Sequence, residues 1–254
     1  MFNLAPMFDM APSALALIFI AFCLGGLVKG VSGMGLPTVA MGLLATVFPP
    51  AQAASLLFVP TVLTNAWQLA TGPSPFAALK RFWPMVTANA VMAVACAGLL
   101  ASAYAHYATV LLGVVLLVYA VFGLSGRRLP APAHGGERWM SPAVGLATGA
   151  LTGGTGVSVM PAAPYLQSLG LDKEALVQAM GLSFTVSTLG LGLGLWLAGG
   201  FAAQSLTGSA LALIPAAIGM AAGQALRRRV SQTTFKKVFF VGLLALGAHL
   251  ALGG

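Results

Sequence analysis

The chain has 254 residues, of which 59% are hydrophobic and 6% charged, with a formal net charge of +8 and a mean hydropathy of +0.95. A soluble domain carries roughly 25% charged residues, so this chain cannot clothe a water-facing surface and a soluble globular class is excluded. Nor is the positive charge a nucleic-acid stripe. Most Lys and Arg residues fall in short loops between apolar runs, as on the cytoplasmic side of membrane proteins.

The first apolar run covers 12–31. No Lys or Arg precedes Lys29, so the basic n-region of a cleaved signal peptide is missing and the run is predicted to stay. It leads into "KGVSGMGLP" (29–37), which sets a lysine, three glycines and a proline in apolar surroundings. Runs at 36–48 and 51–70 follow, then a loop with Lys80 and Arg81, then runs at 82–103 and 107–124. The linker 125–139 carries Arg127, Arg128 and Arg138. Beyond it come 140–153, 157–169, 174–198 and 206–226, a basic loop with Arg227, Arg228, Arg229, Lys236 and Lys237, and a last run at 234–252. Runs of about 20 residues span a bilayer, whereas those of roughly 10–14 suit re-entrant or broken helices. Segments 36–48 and 157–169 are therefore predicted as broken elements, with 140–153 marginal. Cys23 and Cys96 sit in separate apolar runs and read as buried thiols. They suggest neither a metal site nor a disulfide, and no cofactor is expected.

The two short runs each follow a glycine-rich break, and this exposes an internal repeat. Gly26-Leu27-Val28-Lys29-Gly30 lines up with Gly145-Leu146-Ala147-Thr148-Gly149, Ser32-Gly33 with Thr152-Gly153, and Gly35 with Gly156. Further on, 50–65 lies over 172–187. The basic loops place 71–81, the linker and 227–237 inside, while the loops near 104–106 and 199–205 carry no Lys or Arg and go outside. Counting spans then makes each half a helical pair plus three spans, with the halves inverted and both termini extracytoplasmic. The predicted fold is an all-α polytopic membrane protein of two inverted repeats, 1–124 and 140–254, joined by the cytoplasmic linker 125–139 in a single transmembrane domain. Inverted repeats with matching broken segments point to a transporter's binding site.

Broken backbone within a membrane survives only where protein or water surrounds it. Free helix N–H groups at such a break carry positive partial charge and suit an anion. Residues 32–37 and 152–157 are accordingly expected to be non-helical and close together near the membrane centre. The candidate substrate-binding residues are Lys29, Ser32, Gly33, Gly35, Asn65, Thr152, Gly153, Gly154, Thr155, Gly156, Ser183 and Ser187. Each has a plainer reading. Lys29 could snorkel to an interface, and the hydroxyls could bond their own helix backbone. Asn65, like Thr61, Thr64, Asn89 and Gln178, could serve interhelical packing. Asp172 and Glu174 fit a helix start, and His249 reads as a packed histidine.

At "GGLVKGVSGMGLPTVAMGLL" (25–44) and "GLATGALTGGTGVSVMPAAPYLQSLG" (145–170) the chain resembles the TauE/SafE family of sulfite and organosulfonate exporters. The resemblance covers nearly the whole chain. It implies a bacterial inner-membrane carrier of a small sulfur-containing or carboxylate anion, with lipid and that anion as its partners and no nucleic acid. No carboxylate lies well inside a run, so the expected mechanism is uncoupled, electrogenic export by alternating access. Two rivals stand beside it. One is a passive anion channel. The other is an intramembrane serine protease, because "GVSG" (30–33) matches a GxSG nucleophile pattern and His249 could complete a dyad.

Overall fold

The computed structural model describes residues 11–103, 105–127, 129–133, 135–201 and 203–253. Arg128 of the linker and Tyr104 of the expected outer loop lie outside the described residues. The described chain is helical, without strands, because long apolar stretches in lipid must satisfy their backbone internally. In order the helices are α1 (Pro12–Ser32), α2 (Leu36–Leu44), α3 (Pro50–Ala70), α4 (Pro75–Cys96), α5 (Gly98–Ala101), α6 (Ala105–Leu124), α7 (Glu137–Thr155), α8 (Ala162–Ser168), α9 (Lys173–Leu197), α10 (Ala203–Leu226) and α11 (Gln232–Gly253). Seven stretches are long and apolar enough to cross a bilayer: α1, α3, α4 continued through α5, α6, α9, residues 206–226 of α10, and α11. Prolines open α1, α3 and α4, where no intrahelical N–H is lost. Asp172 starts α9 as expected, its carboxylate accepting from Ala175 N at 2.8 Å.

Two boundaries differ from the sequence reading. The marginal run 140–153 is in fact the 19-residue α7, about 28 Å long. It gains a turn from the linker, where Glu137 occupies the first turn and binds Arg81 of α4 through both carboxylate oxygens, at 2.7 and 2.9 Å. At its other end α7 continues through Thr152, Gly153, Gly154 and Thr155 and stops only at Gly156, where φ is +74°. The second break is thus 156–161, and α8 starts at Ala162. The first break is shorter, at 33–35, with Gly33 and Gly35 at φ +81° and +101°.

Packing pairs α1 with α10, α7 with α4, α6 with α11, and α3 with α9. Small residues set the first two contacts. A Cβ built on Gly26 or Gly30 of α1 would lie 2.2–2.3 Å from the Ala216 or Met220 carbonyl of α10. One on Gly145 or Gly149 of α7 would lie 2.1–2.2 Å from the Met85 or Asn89 carbonyl of α4. Only glycine admits backbones this close, and lipid offers no hydrophobic drive to replace such contact. The outward faces are apolar, with Phe19, Trp67, Trp83, Val118, Trp196 and Val238 exposed, while Thr64, Asn65, Asn89, Ser183 and Ser187 are buried. Polar residues inside and apolar ones outside suit a lipid solvent.

The packing also gathers the basic loops. Gln178 at the start of α9 bonds Leu69 O at 2.8 Å and Ser74 N at 3.0 Å. Gln68 bonds Gly33 O, and Ser32 and Met34 share a cavity with Arg127 and Lys236. The ends of α1, α3 and α6 and the starts of α4, α7, α9 and α11 therefore lie on one basic face. Break 33–35 is near that face.

Candidate functional site

Lys29 stands one turn before the end of α1, and its carbonyl accepts from the Gly33 N–H at 2.7 Å. The αL turn at Gly33 lets the chain leave the helix there and brings Lys29 against α3. The side chain is 3% exposed. Its Nζ donates to Thr64 Oγ1 at 3.0 Å and to Asn65 Oδ1. Among the described residues no carboxylate pairs with it. The snorkelling alternative fails on this geometry, because the head lies buried among helices instead of reaching an interface. The lysine head thus has two neutral acceptors and no charged partner, and an ammonium so placed is expensive in the membrane.

The α3 residues around it form one stripe. Thr61, Thr64 with Asn65, and Gln68 recur at helical spacing on one side. Gln68 Nε2 donates to Gly33 O at 2.6 Å, so the stripe runs from the first break towards the middle of α3. Thr61 Oγ1, Asn65 Nδ2 and Gln68 Oε1 are buried with no partner in the protein. Buried polar atoms are rarely left so, because each costs about 1–3 kcal/mol. Three of them share this one stripe, while Thr38 Oγ1, Asn89 Oδ1 and Thr148 Oγ1 are likewise unpartnered elsewhere.

One turn of α3 beyond Thr64, Thr61 lines a cavity of about 10 Å³, room for about one water molecule. Pro37 at the start of α2, Thr152 and Gly156 at the end of α7, Ser158 in the second break, and Thr188 of α9 line it as well. The second break thus meets the first turn of α2, but the expectation is corrected in two respects: the non-helical residues are 33–35 and 156–161 and not 32–37 and 152–157, and the first break lies towards the basic face and not at the centre. Behind this cavity α9 carries a second polar cluster. Asn89 Nδ2 of α4 donates to Ser187 Oγ at 2.7 Å and lies 3.5 Å from Ser183 Oγ.

The predicted residues divide accordingly. Lys29 and Asn65 touch each other. Thr152 and Gly156 line the small cavity, Ser183 and Ser187 hold Asn89, Gly33 and Gly35 belong to the first break, and Ser32 is the last residue of α1. The hydroxyls do bond their own backbone: Ser32 to Val28 O at 2.8 Å, Thr152 to Thr148 O at 2.7 Å, Thr155 to Leu151 O at 2.6 Å. Gly153 and Gly154 are corrected, because they lie within α7 and their N–H groups belong to its ladder. Gly153 instead packs on α4, where a built Cβ would come within 2.6 Å of Cys96 Cβ. Gln68, Ser158 and Thr188 escaped the sequence reading. Only Gln68 left a signal, its spacing of one turn from Thr64 and Asn65.

A family model described as "Sulfite exporter TauE/SafE" matches residues 17–250. The chain belongs to that family. Neither the curated proteins nor the solved structures yield a match. As a TauE/SafE protein with seven stretches fit to span, it is a multi-pass membrane transport protein, and its substrate is a small anion. The protease alternative finds no support in the geometry of this TauE/SafE chain. Ser32 shares a cavity with Phe235 and Lys236 at the start of α11, whereas His249, expected to be packed, is instead exposed and lies 13 residues beyond Lys236 on the same helix, about 20 Å along its axis.

Proposed function

We propose that the protein exports a small anion (sulfite, an organosulfonate or a small carboxylate) across a bacterial inner membrane by alternating access, with Lys29 as the fixed positive charge of the site. The observation that carries this reading is the buried Lys29 ammonium, held by Thr64 and Asn65 without a described carboxylate. An anion that enters supplies the missing charge. Asn65 Nδ2 and the Thr61 hydroxyl, both unpartnered, are placed to donate to its oxygens. Thr152, Ser158 and Gly156 close the path on the far side of the small cavity.

The inverted-repeat organisation, 1–124 against 140–254 about the cytoplasmic linker 125–139, is supported by the reciprocal packing. The α1–α10 contact centres on Gly26 and Gly30, and the α7–α4 contact on the equivalent Gly145 and Gly149. Pro84 and Pro215 recur inside α4 and α10, each one residue before the carbonyl that its glycine meets. Inversion sets one break towards the basic face and the other towards the opposite face. Rocking one half against the other would expose the Lys29 site to each side in turn. By the charge of its loops the basic face is cytoplasmic and both termini are extracytoplasmic.

The test is transport and binding by purified protein. Lys29→Gln should lower anion affinity at least about tenfold, the scale of one charge-assisted hydrogen bond. It should abolish efflux from proteoliposomes while the melting temperature holds. Lys29→Arg should be intermediate, since a planar fork replaces a compact charge. Unchanged affinity in Lys29→Gln removes the lysine from the site. Saturation and counterflow separate this carrier from a passive channel.

A further inference from the structure

A second cavity, of about 200 Å³, opens on the basic face. Ser32 at the end of α1 and Met34 of the first break line it, Phe235 and Phe239 belong to its wall, and Arg127 and Lys236 are exposed at its rim. No acidic residue lines it. The wall is ordered: Phe235 and Phe239 stack with an interplanar angle of 3°, and Tyr119, which also lines the cavity, meets Met34 Sδ through its hydroxyl at 3.6 Å.

We infer that this cavity is an outer binding site for a small organic monoanion with an apolar, benzene-sized body. The two cations set the sign of the ligand's charge. The aromatic wall defines the rest, because a bare oxyanion gains nothing from apolar surface whereas a ring or short alkyl body does. Size agrees: an apolar protein cavity of about 150 Å³ already holds benzene. The site differs from the Lys29 site, since Lys29 does not line it. Ser32 does, one turn along α1 from Lys29, so an anion bound here waits at the entrance to the inner site. The role as an antechamber rests on the transport reading; the binding itself does not.

The experiment compares benzoate with acetate, which share a headgroup and differ only in the body. Binding is measured calorimetrically on the full chain in phosphatidylcholine nanodiscs. Benzoate should bind at least about tenfold more tightly than acetate. The Arg127→Gln/Lys236→Gln double variant should lose about tenfold in benzoate affinity, and Gln167→Trp, which fills the cavity from an exposed position on the otherwise buried α8, should abolish it. If the double variant melts early, Gln167→Trp decides alone. Lys29→Gln should leave benzoate binding here intact while stopping efflux. Equal affinity for the two anions overturns the outer site, as does benzoate binding that survives Gln167→Trp and vanishes in Lys29→Gln. Loss of benzoate binding in phosphatidylglycerol nanodiscs would assign the cavity to a lipid headgroup and overturn it too. Efflux unaffected by Lys29→Gln would count against the inner site alone.

Discussion

At the scale of single residues, the proposed site rests on what Lys29 lacks. Its partners Thr64 and Asn65 accept hydrogen bonds but bring no charge. This arrangement makes a sharp prediction. Asn65→Asp places a carboxylate of nearly the same shape on the ammonium. The internal ion pair should then displace the substrate: anion affinity should fall at least tenfold, about 1.4 kcal/mol, while the melting temperature stays level or rises. Calorimetric titration beside a melting curve checks both. Retained affinity would show that the anion does not use this charge. Lys29 itself was legible in the sequence because a lysine inside an apolar run is rare and costly. Thr64 and Asn65 were singled out too, but not as its partners, because they lie 35 and 36 residues away and only the tertiary fold chooses them from several Ser, Thr and Asn residues.

At the scale of helices, glycines do two separate jobs. Gly33 and Gly156 end α1 and α7 in the left-handed region that side chains avoid. Gly26, Gly30, Gly145 and Gly149 instead let backbones touch. The sequence repeat aligned both kinds at once, and the structure separates them. Measured from the paired glycines, α7 runs about one turn further than α1 before it breaks, so Thr152 to Thr155 are helical. Sequence could not show this, because "TGGTG" (152–156) offers three glycines and only tertiary contacts select which one leaves the helix. The packing role is testable. Gly145→Ala should destabilise by about 1–3 kcal/mol, since its Cβ would sit 2.1 Å from the Met85 carbonyl and the helices must part. Gly242→Ala on α11, where nothing lies within 4 Å, should be neutral or slightly stabilising. Urea or thermal unfolding of the two variants gives the comparison; equal effects would refute the close-contact account.

At the scale of the molecule, the basic loops collect on one face although they are far apart in sequence. If that face is cytoplasmic, Ser231→Cys should react with membrane-impermeant maleimide only after the membrane is opened, whereas Ala103→Cys should react in intact cells. The reverse result would invert the topology and the direction of transport. Export of one uncompensated negative charge should gain about 2.3 kcal/mol per 100 mV of inside-negative potential. Efflux from proteoliposomes should accordingly accelerate when valinomycin sets such a potential. A rate indifferent to voltage would rule out uncoupled movement of one charge.

By itself the sequence determined the solvent, the spans and the existence of two breaks. Hydropathy, proline and glycine act locally, and lipid punishes any exception to them. It also placed one lysine inside an apolar run and left open whether that lysine snorkels to an interface. Only the tertiary structure decided what that lysine meets, that Thr61, Asn65 and Gln68 share a stripe with unpartnered atoms, and that the second break begins at Gly156. Those outcomes depend on how closely α1 approaches α10, how far the Lys29 side chain reaches towards α3, and how closely α7 approaches α4. Such distances are set by small residues acting in pairs across the bundle, and no local pattern along the chain records them.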